Sequence, residues 1–202
     1  MATRVPARMP GEARREQLLD VAKALVVRRG FHAVSIEAVA REAGISRPIV
    51  YGHFRDLPGL LEALVDREGD RALSQLDALL PKDLETGDPR EKLLAAQRAY
   101  LSAAQADPAT WKLVLMPPEG APDILRERIA EGRAQVVGQL AETVAPLFKP
   151  GAGGPDPELT ARMLSTMADE AVRLLLNQPD RYSVERLLAQ TRWFLDRVID
   201  PQ

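Results

Sequence analysis

The stretch Ser35-Ile-Glu-Ala-Val-Ala-Arg-Glu-Ala-Gly-Ile-Ser-Arg-Pro-Ile-Val-Tyr-Gly-His-Phe54 reads as two short helices joined by a tight turn. Ser35 stands where a side-chain oxygen accepts from an unpaired amide of the first helix. Ile36, Val39, Ala40 and Ala43 then recur at the spacing that lines one helical face. Gly44 follows, because a residue without Cβ enters a left-handed backbone at little cost. Ile45 is expected to anchor the corner by burial. Ser46 is expected to cap the second helix, with Pro48 in its first turn, where the missing N–H is harmless. Val50 and Phe54, four apart, face inward. Arg47, Tyr51 and His53, with Arg55 just beyond, are left to face outward. The unit is a helix-turn-helix, in which the second helix offers its outer side chains to a DNA major groove. Such a turn also occurs as plain structure in helical bundles. The outward chemistry favours DNA, since these groups contact phosphates and base edges and no carboxylate lies between Ser46 and Arg55.

The charge of the whole chain hides an asymmetry that fits this reading. Over 202 residues the net charge is −2, yet residues 1–55 carry ten Arg/Lys against five Asp/Glu. The remainder carries seventeen against twenty-four. A basic first quarter on an acidic body suits an end that meets a polyanion.

Outward from the turn, helical periodicity continues to the C-terminus. Leu18, Ala22, Leu25 and Val26 precede it, and Leu57, Leu60, Leu61, Leu64 and Val65 follow. Later blocks are Leu93–Leu101, Leu125–Val144, Met163–Leu174 and Val184–Val198. No sustained alternation of period two is evident, so the chain is expected to be all-α with about nine helices. Most of the sixteen prolines fall between the blocks, where helices start or stop, and Pro146 is expected to end or kink the helix before it. The run Pro150-Gly-Ala-Gly-Gly-Pro155 reads as a linker; no strand precedes it and no Gly-Lys-Ser/Thr follows, so it is not a phosphate loop.

Composition removes several chemistries. There is no cysteine, which excludes disulfides and thiolate sites and fits a reducing cytoplasm. Two histidines, His32 and His53, leave little for metal or histidine-based catalysis, and His32 is expected at the surface. No apolar run approaches the roughly 18–20 residues of a membrane span, and the N-terminus lacks a secretory apolar block. No cofactor and no catalytic constellation is expected: adjacent carboxylates such as Asp169 and Glu170 point to different sides of a helix.

Residues 11–65 resemble the DNA-binding domain of the TetR family of bacterial transcriptional repressors. The matching parts occur in order: a first helix from Arg15 to Arg29, Gly30-Phe31, Ala43-Gly44-Ile45-Ser46, Tyr51-Gly52-His53-Phe54, and the apolar helix from Leu57 to Val65. The resemblance implies roles. Ser35 would hold a phosphate at the start of its helix. Ser46, Arg47 and Pro48 would lie on the groove floor, with Arg47 opposite a guanine edge. Tyr51 and His53 would flank the groove on phosphates, and Phe54 would be core. One departure stands out. The family usually has a phosphate-contacting lysine just after this motif, and here the residues are Asp56-Leu57-Pro58. Asp56 suits a helix cap but cannot replace that cation; Arg55 or the N-terminal Arg4, Arg8, Arg14 and Arg15 are the candidates to do so.

The resemblance divides the chain into residues 1–55, an arm with the helix-turn-helix, and residues 56–202, a helical domain for ligand binding and dimerisation. The last two helices have wide apolar faces, including Leu187, Leu188, Thr191, Phe194, Leu195 and Val198, that either pair across a two-fold axis or form intrachain core. Bulky or soft side chains are the pocket candidates: Tyr100, Trp111, Met116, Phe148, Met163 and Met167. Asp169, Glu170 and Arg173 read as a solvated face rather than a charge beside a ligand. The expected function is therefore a homodimeric repressor, released from a palindromic double-stranded DNA operator by a small-molecule effector. A DNA-binding regulator or architectural protein without a ligand is the alternative, and a helical enzyme is a distant third.

Overall fold

The computed structural model describes residues 9–118, 120–148 and 155–199. Among them are nine α-helices and no strand, as the periodicity requires. They fall into two compact units, the first comprising the residues up to Arg67 with Pro118–Arg126, the second Glu68–Pro117 with the chain from Glu127 onward.

The first unit holds α1 (Gly11–Arg29), α2 (Ile36–Glu42), α3 (Arg47–Tyr51) and the first turns of α4 (Leu57–Leu79). Leu18, Leu19, Leu25 and Val26 from α1 are at most 1 % exposed, as are Val39, Val50, Leu60 and Leu64. This unit therefore runs on to Arg67 rather than ending at residue 55. The apolar face of α4 carries Leu60, Leu64 and Val65, all buried, and a three-helix unit without them would leave that face in water.

The turn between α2 and α3 follows the sequence. Ser35 Oγ accepts from the Ala38 amide at 3.0 Å, and Gly44 has φ +67°. The Ile45 amide donates back to the Ala40 carbonyl at 2.9 Å, and Ile45 itself is half-buried. Ser46 occupies the capping position of α3 with extended backbone, but its side chain makes no capping bond. The expected cap is thus positional only. An added Cβ at Gly44 would meet nothing within 4 Å, so its cost is purely that of the left-handed backbone. Gly44→Ala should lower stability by about 1–2 kcal/mol in urea unfolding and leave the helix content of the folded chain unchanged.

The second unit contains the rest of α4, α5 (Pro89–Ala106), α6 (Pro108–Leu115), most of α7 (Asp123–Val144), α8 (Pro157–Asn177) and α9 (Val184–Val198). Three helix starts share one chemistry. Asp88, Asp107 and Asp156 each accept from amides of the first turn, and each is followed by a proline whose lacking N–H would be unpaired there anyway. Val144 ends α7 and a 3-10 turn, Ala145–Leu147, carries Pro146, as expected of that residue. Of the glycine-rich linker, residues 150–154 lie outside the described residues.

Helix α5 is the centre of this unit, with α8 and α9 both packed on it. That placement settles the wide apolar faces of the last two helices. Leu187, Leu188, Thr191 and Leu195 are 8 % exposed or less within one chain, so they are intrachain core. Val198, by contrast, is 39 % exposed.

Candidate nucleic-acid interface

Helix α3 is only five residues long, so its orientation rests on burial rather than on its own hydrogen bonds. Val50, fully buried, and Phe54, 4 % exposed, fix its inner side. The chain after Tyr51 closes with the Phe54 amide on the Val50 carbonyl at 2.9 Å. Arg15 lies over the Phe54 ring at 4.8 Å, which ties the start of α1 to the end of the motif.

With that side fixed, Ser46, Arg47, Pro48 and Tyr51 are all exposed. Ile49 joins them at 44 % exposure, beside Tyr51 at 51 %. Ile49 was not among the expected contacts, because an apolar residue within an amphipathic pattern reads as core. Its signal was geometric: it stands one residue, about 100°, from the inward Val50. An exposed branched alkyl group here is suited to a thymine methyl.

The electrostatics of this face are pre-paired. Arg47 donates to Glu37 Oε1 at 3.0 Å across the turn, and Arg28 donates to Glu42 Oε1 at 2.5 Å. The Glu37 backbone amide and then Arg47 hold the Glu37 carboxyl below its ordinary range. Arg28 does the same for Glu42. Both pairs are solvent-exposed and so weakly held, which leaves the guanidinium groups exchangeable for phosphates or base edges.

His53, expected to face outward, is half-buried, and a Cβ on Gly11 would sit 3.9 Å from its ring. Asp56 caps α4, accepting from the Gly59 amide at 2.8 Å. Arg55 is the open cation beside it, with its side chain 95 % exposed and 4.0 Å from Asp56. Arg14 instead donates to Gln17 at 2.6 Å, while Arg4 and Arg8 lie outside the described residues. His32 is exposed, as expected.

The structure brings only some of the expected pocket residues together. A cavity of about 90 Å³ lies within the second unit, lined mainly by aliphatic side chains of α4, α5, α7, α8 and α9. Tyr100 and Met167 line it; Trp111, Met116, Phe148 and Met163 do not. Trp111 is fully buried, its ring edge-on to Tyr100 at 4.8 Å. Met163 is 66 % exposed on α8 and cannot line an internal space. Met116 and Phe148 are half-buried against the core.

The reading of Asp169 as solvated is also corrected. It is 9 % exposed, accepts from the Tyr100 hydroxyl at 3.0 Å and from Arg133 at 3.1 Å, and lines the cavity. Burial pushes its carboxyl above the ordinary range, against the pull of Arg133 and Tyr100. Glu170, its neighbour, is exposed, and Arg173 reaches the Leu115 carbonyl at 3.2 Å.

Residues 18–64 match the family described as bacterial regulatory proteins, tetR family. The chain is 34 % identical over 107 residues to the HTH-type transcriptional activator FasR of Mycolicibacterium smegmatis, covering 53 % of this chain and 48 % of that one. It is 30 % identical over 134 residues to the HTH-type transcriptional regulator AlkX of Mycobacterium tuberculosis, covering 66 % and 61 %. The chain therefore spans about half to three-fifths of the length of these curated relatives. Its fold is that of the crystal structure of a TetR-like transcriptional regulator from Rhodococcus sp. RHA1. That likeness has a TM-score of 0.70 at 22 % identity and covers 92 % of this chain and 94 % of that one.

Proposed function

Through residues 18–64 the chain belongs to the tetR family of bacterial regulatory proteins, and we propose that it is a homodimeric transcriptional repressor that a small molecule releases from a palindromic operator. The observation that carries the DNA-binding part is the exposed set Arg47, Ile49 and Tyr51, held outward on α3 by the buried Val50 and Phe54. Arg47 reads a guanine edge, Ile49 packs on a thymine methyl, and Ser46 and Pro48 approach the groove floor. Ser35, whose Oγ accepts from Ala38 and keeps its O–H to donate, holds a phosphate with Tyr51 and Arg55. His53, half-buried, supports α3 from behind more than it contacts DNA.

The second copy covers the exposed apolar side chains of the last two helices. Leu159 and Met163, one turn apart on α8, are 53 % and 66 % exposed, and Trp193 on α9 is 51 % exposed. Isolated exposed side chains need no explanation, but three large ones on the last two helices, which can pack across a two-fold axis, favour a dimer. Binding in the cavity of the second unit favours a state with the wrong helix spacing. A hundredfold release needs a preference of about 2.7 kcal/mol for that state. No helix among the described residues is long and apolar enough to cross a membrane, in keeping with a protein that works on DNA in the cytoplasm.

A regulator of opposite sign is the second reading, favoured by the name of the activator relative. A gel shift against the DNA flanking the protein's own gene tests DNA binding directly. A transcription assay with the same fragment separates repression from activation. Absence of a shifted band at micromolar protein would overturn the proposal.

A further inference from the structure

The cavity of the second unit has polar and apolar walls of very unequal extent, and one of its few polar groups is unused. Leu76, Leu79, Leu140, Leu164 and Leu195 are among its many aliphatic lining side chains. Among the polar lining groups, Asp169 is already committed to Tyr100 and Arg133 through its two oxygens. Thr191 donates to the Leu187 carbonyl at 3.1 Å. Gln97 differs. It is 7 % exposed, lines the cavity, and its amide nitrogen has no hydrogen-bond partner among the described residues. A buried, unpaired amide costs the folded chain, because water has been removed from it and nothing has replaced it. In a mainly aliphatic wall, a leucine in its place would fit better unless a ligand completes the bond.

We propose that the effector is an uncharged, largely hydrocarbon molecule with a single hydrogen-bonding group, such as an alcohol, ester or amide, seated against Gln97. This rests on the reading of the cavity as the effector site and specifies its chemistry. An amide side chain offers both a donor and an acceptor, neither charged, so it matches a neutral partner whichever way it is turned. A ligand carboxylate would be placed in the same apolar enclosure as Asp169, where one negative charge is already costly to bury. A ligand ammonium would have to compete with Arg133, whose guanidinium already balances the Asp169 charge. The aliphatic walls then account for the remainder of the molecule through burial of hydrocarbon.

Calorimetric titration of the full chain at pH 7.5 with 1-octanol, octanoate and octylammonium tests this. The expected order is octanol first, with both ions at least tenfold weaker. Gln97→Leu should weaken octanol about fivefold, the scale of one neutral hydrogen bond. In the absence of any probe it should leave the melting temperature unchanged or raise it. A merely structural glutamine would lower it. Tighter binding of either ion, or octanol affinity unaltered in Gln97→Leu, would overturn the proposal while leaving the cavity as a ligand site. Failure of all three probes to bind would overturn the cavity as an effector site as well.

Discussion

Met163→Glu combined with Trp193→Glu should give a folded monomer whose operator affinity is at least about a hundredfold below that of the unaltered protein. Both side chains are more than half exposed in the single chain, so a charge at either position costs the isolated fold little. Across a two-fold axis the cost is different. Each glutamate is then desolvated on assembly, and symmetry repeats the penalty in the second subunit. Trp193 carries the Arg197 guanidinium over its ring at 4.0 Å, a contact that stiffens the side chain in its exposed position. A monomer offers one recognition helix to one half-site and loses the effective concentration that links two. Sedimentation of the double variant alongside the unaltered protein reads the assembly, and a gel shift reads the affinity. Dimeric sedimentation with normal binding would place the interface elsewhere. The buried Leu188 and Leu195 are unsuitable for this test, because a charge there would unfold the chain rather than separate subunits.

Arg47→Ala should cost about 1–3 kcal/mol of operator affinity and relax preference at one base pair of each half-site. Tyr51→Ala should instead weaken all sequences alike, as loss of a phosphate contact does. The Glu37 pair sharpens the contrast. In free protein Glu37 holds Arg47 at 3.0 Å, and DNA must displace it. Glu37→Gln should therefore raise affinity modestly for every sequence, by removing both a competitor for Arg47 and a negative charge facing the phosphates. Competition binding on operator and scrambled duplexes separates the three effects. Unchanged affinity in both Arg47→Ala and Tyr51→Ala would remove the assignment of this face.

The helix-turn-helix was legible because each device in it is local: Ser35, Gly44 and the Val50/Phe54 pair each constrain their own turn. The helix boundaries marked by prolines were legible for the same reason, although the Asp88, Asp107 and Asp156 caps beside them were not read. What stayed hidden depends on partners distant in sequence. Asp169 reads as surface until Tyr100, 69 residues earlier, and Arg133, 36 residues earlier, are brought against it. Gln97 carried no signal as a polar group among leucines, because periodicity marks a buried position without saying what faces it. Met163 misled in the opposite sense: methionine at helical spacing suits a cavity wall, and this one points to solvent. The Arg47–Glu37 pair was invisible too, since the two residues lie on different helices.

Methylation interference on the DNA upstream of the protein's own gene tests the central claim most directly, because methylated guanine N7 projects into the major groove that α3 is proposed to occupy. Two clusters of interfering guanines are expected, separated by about one helical turn or slightly more, one for each recognition helix of the dimer. In Arg47→Ala, interference should disappear at one guanine of each cluster and persist at the others. Interference that is absent from the major groove, or unchanged in Arg47→Ala, would contradict the account.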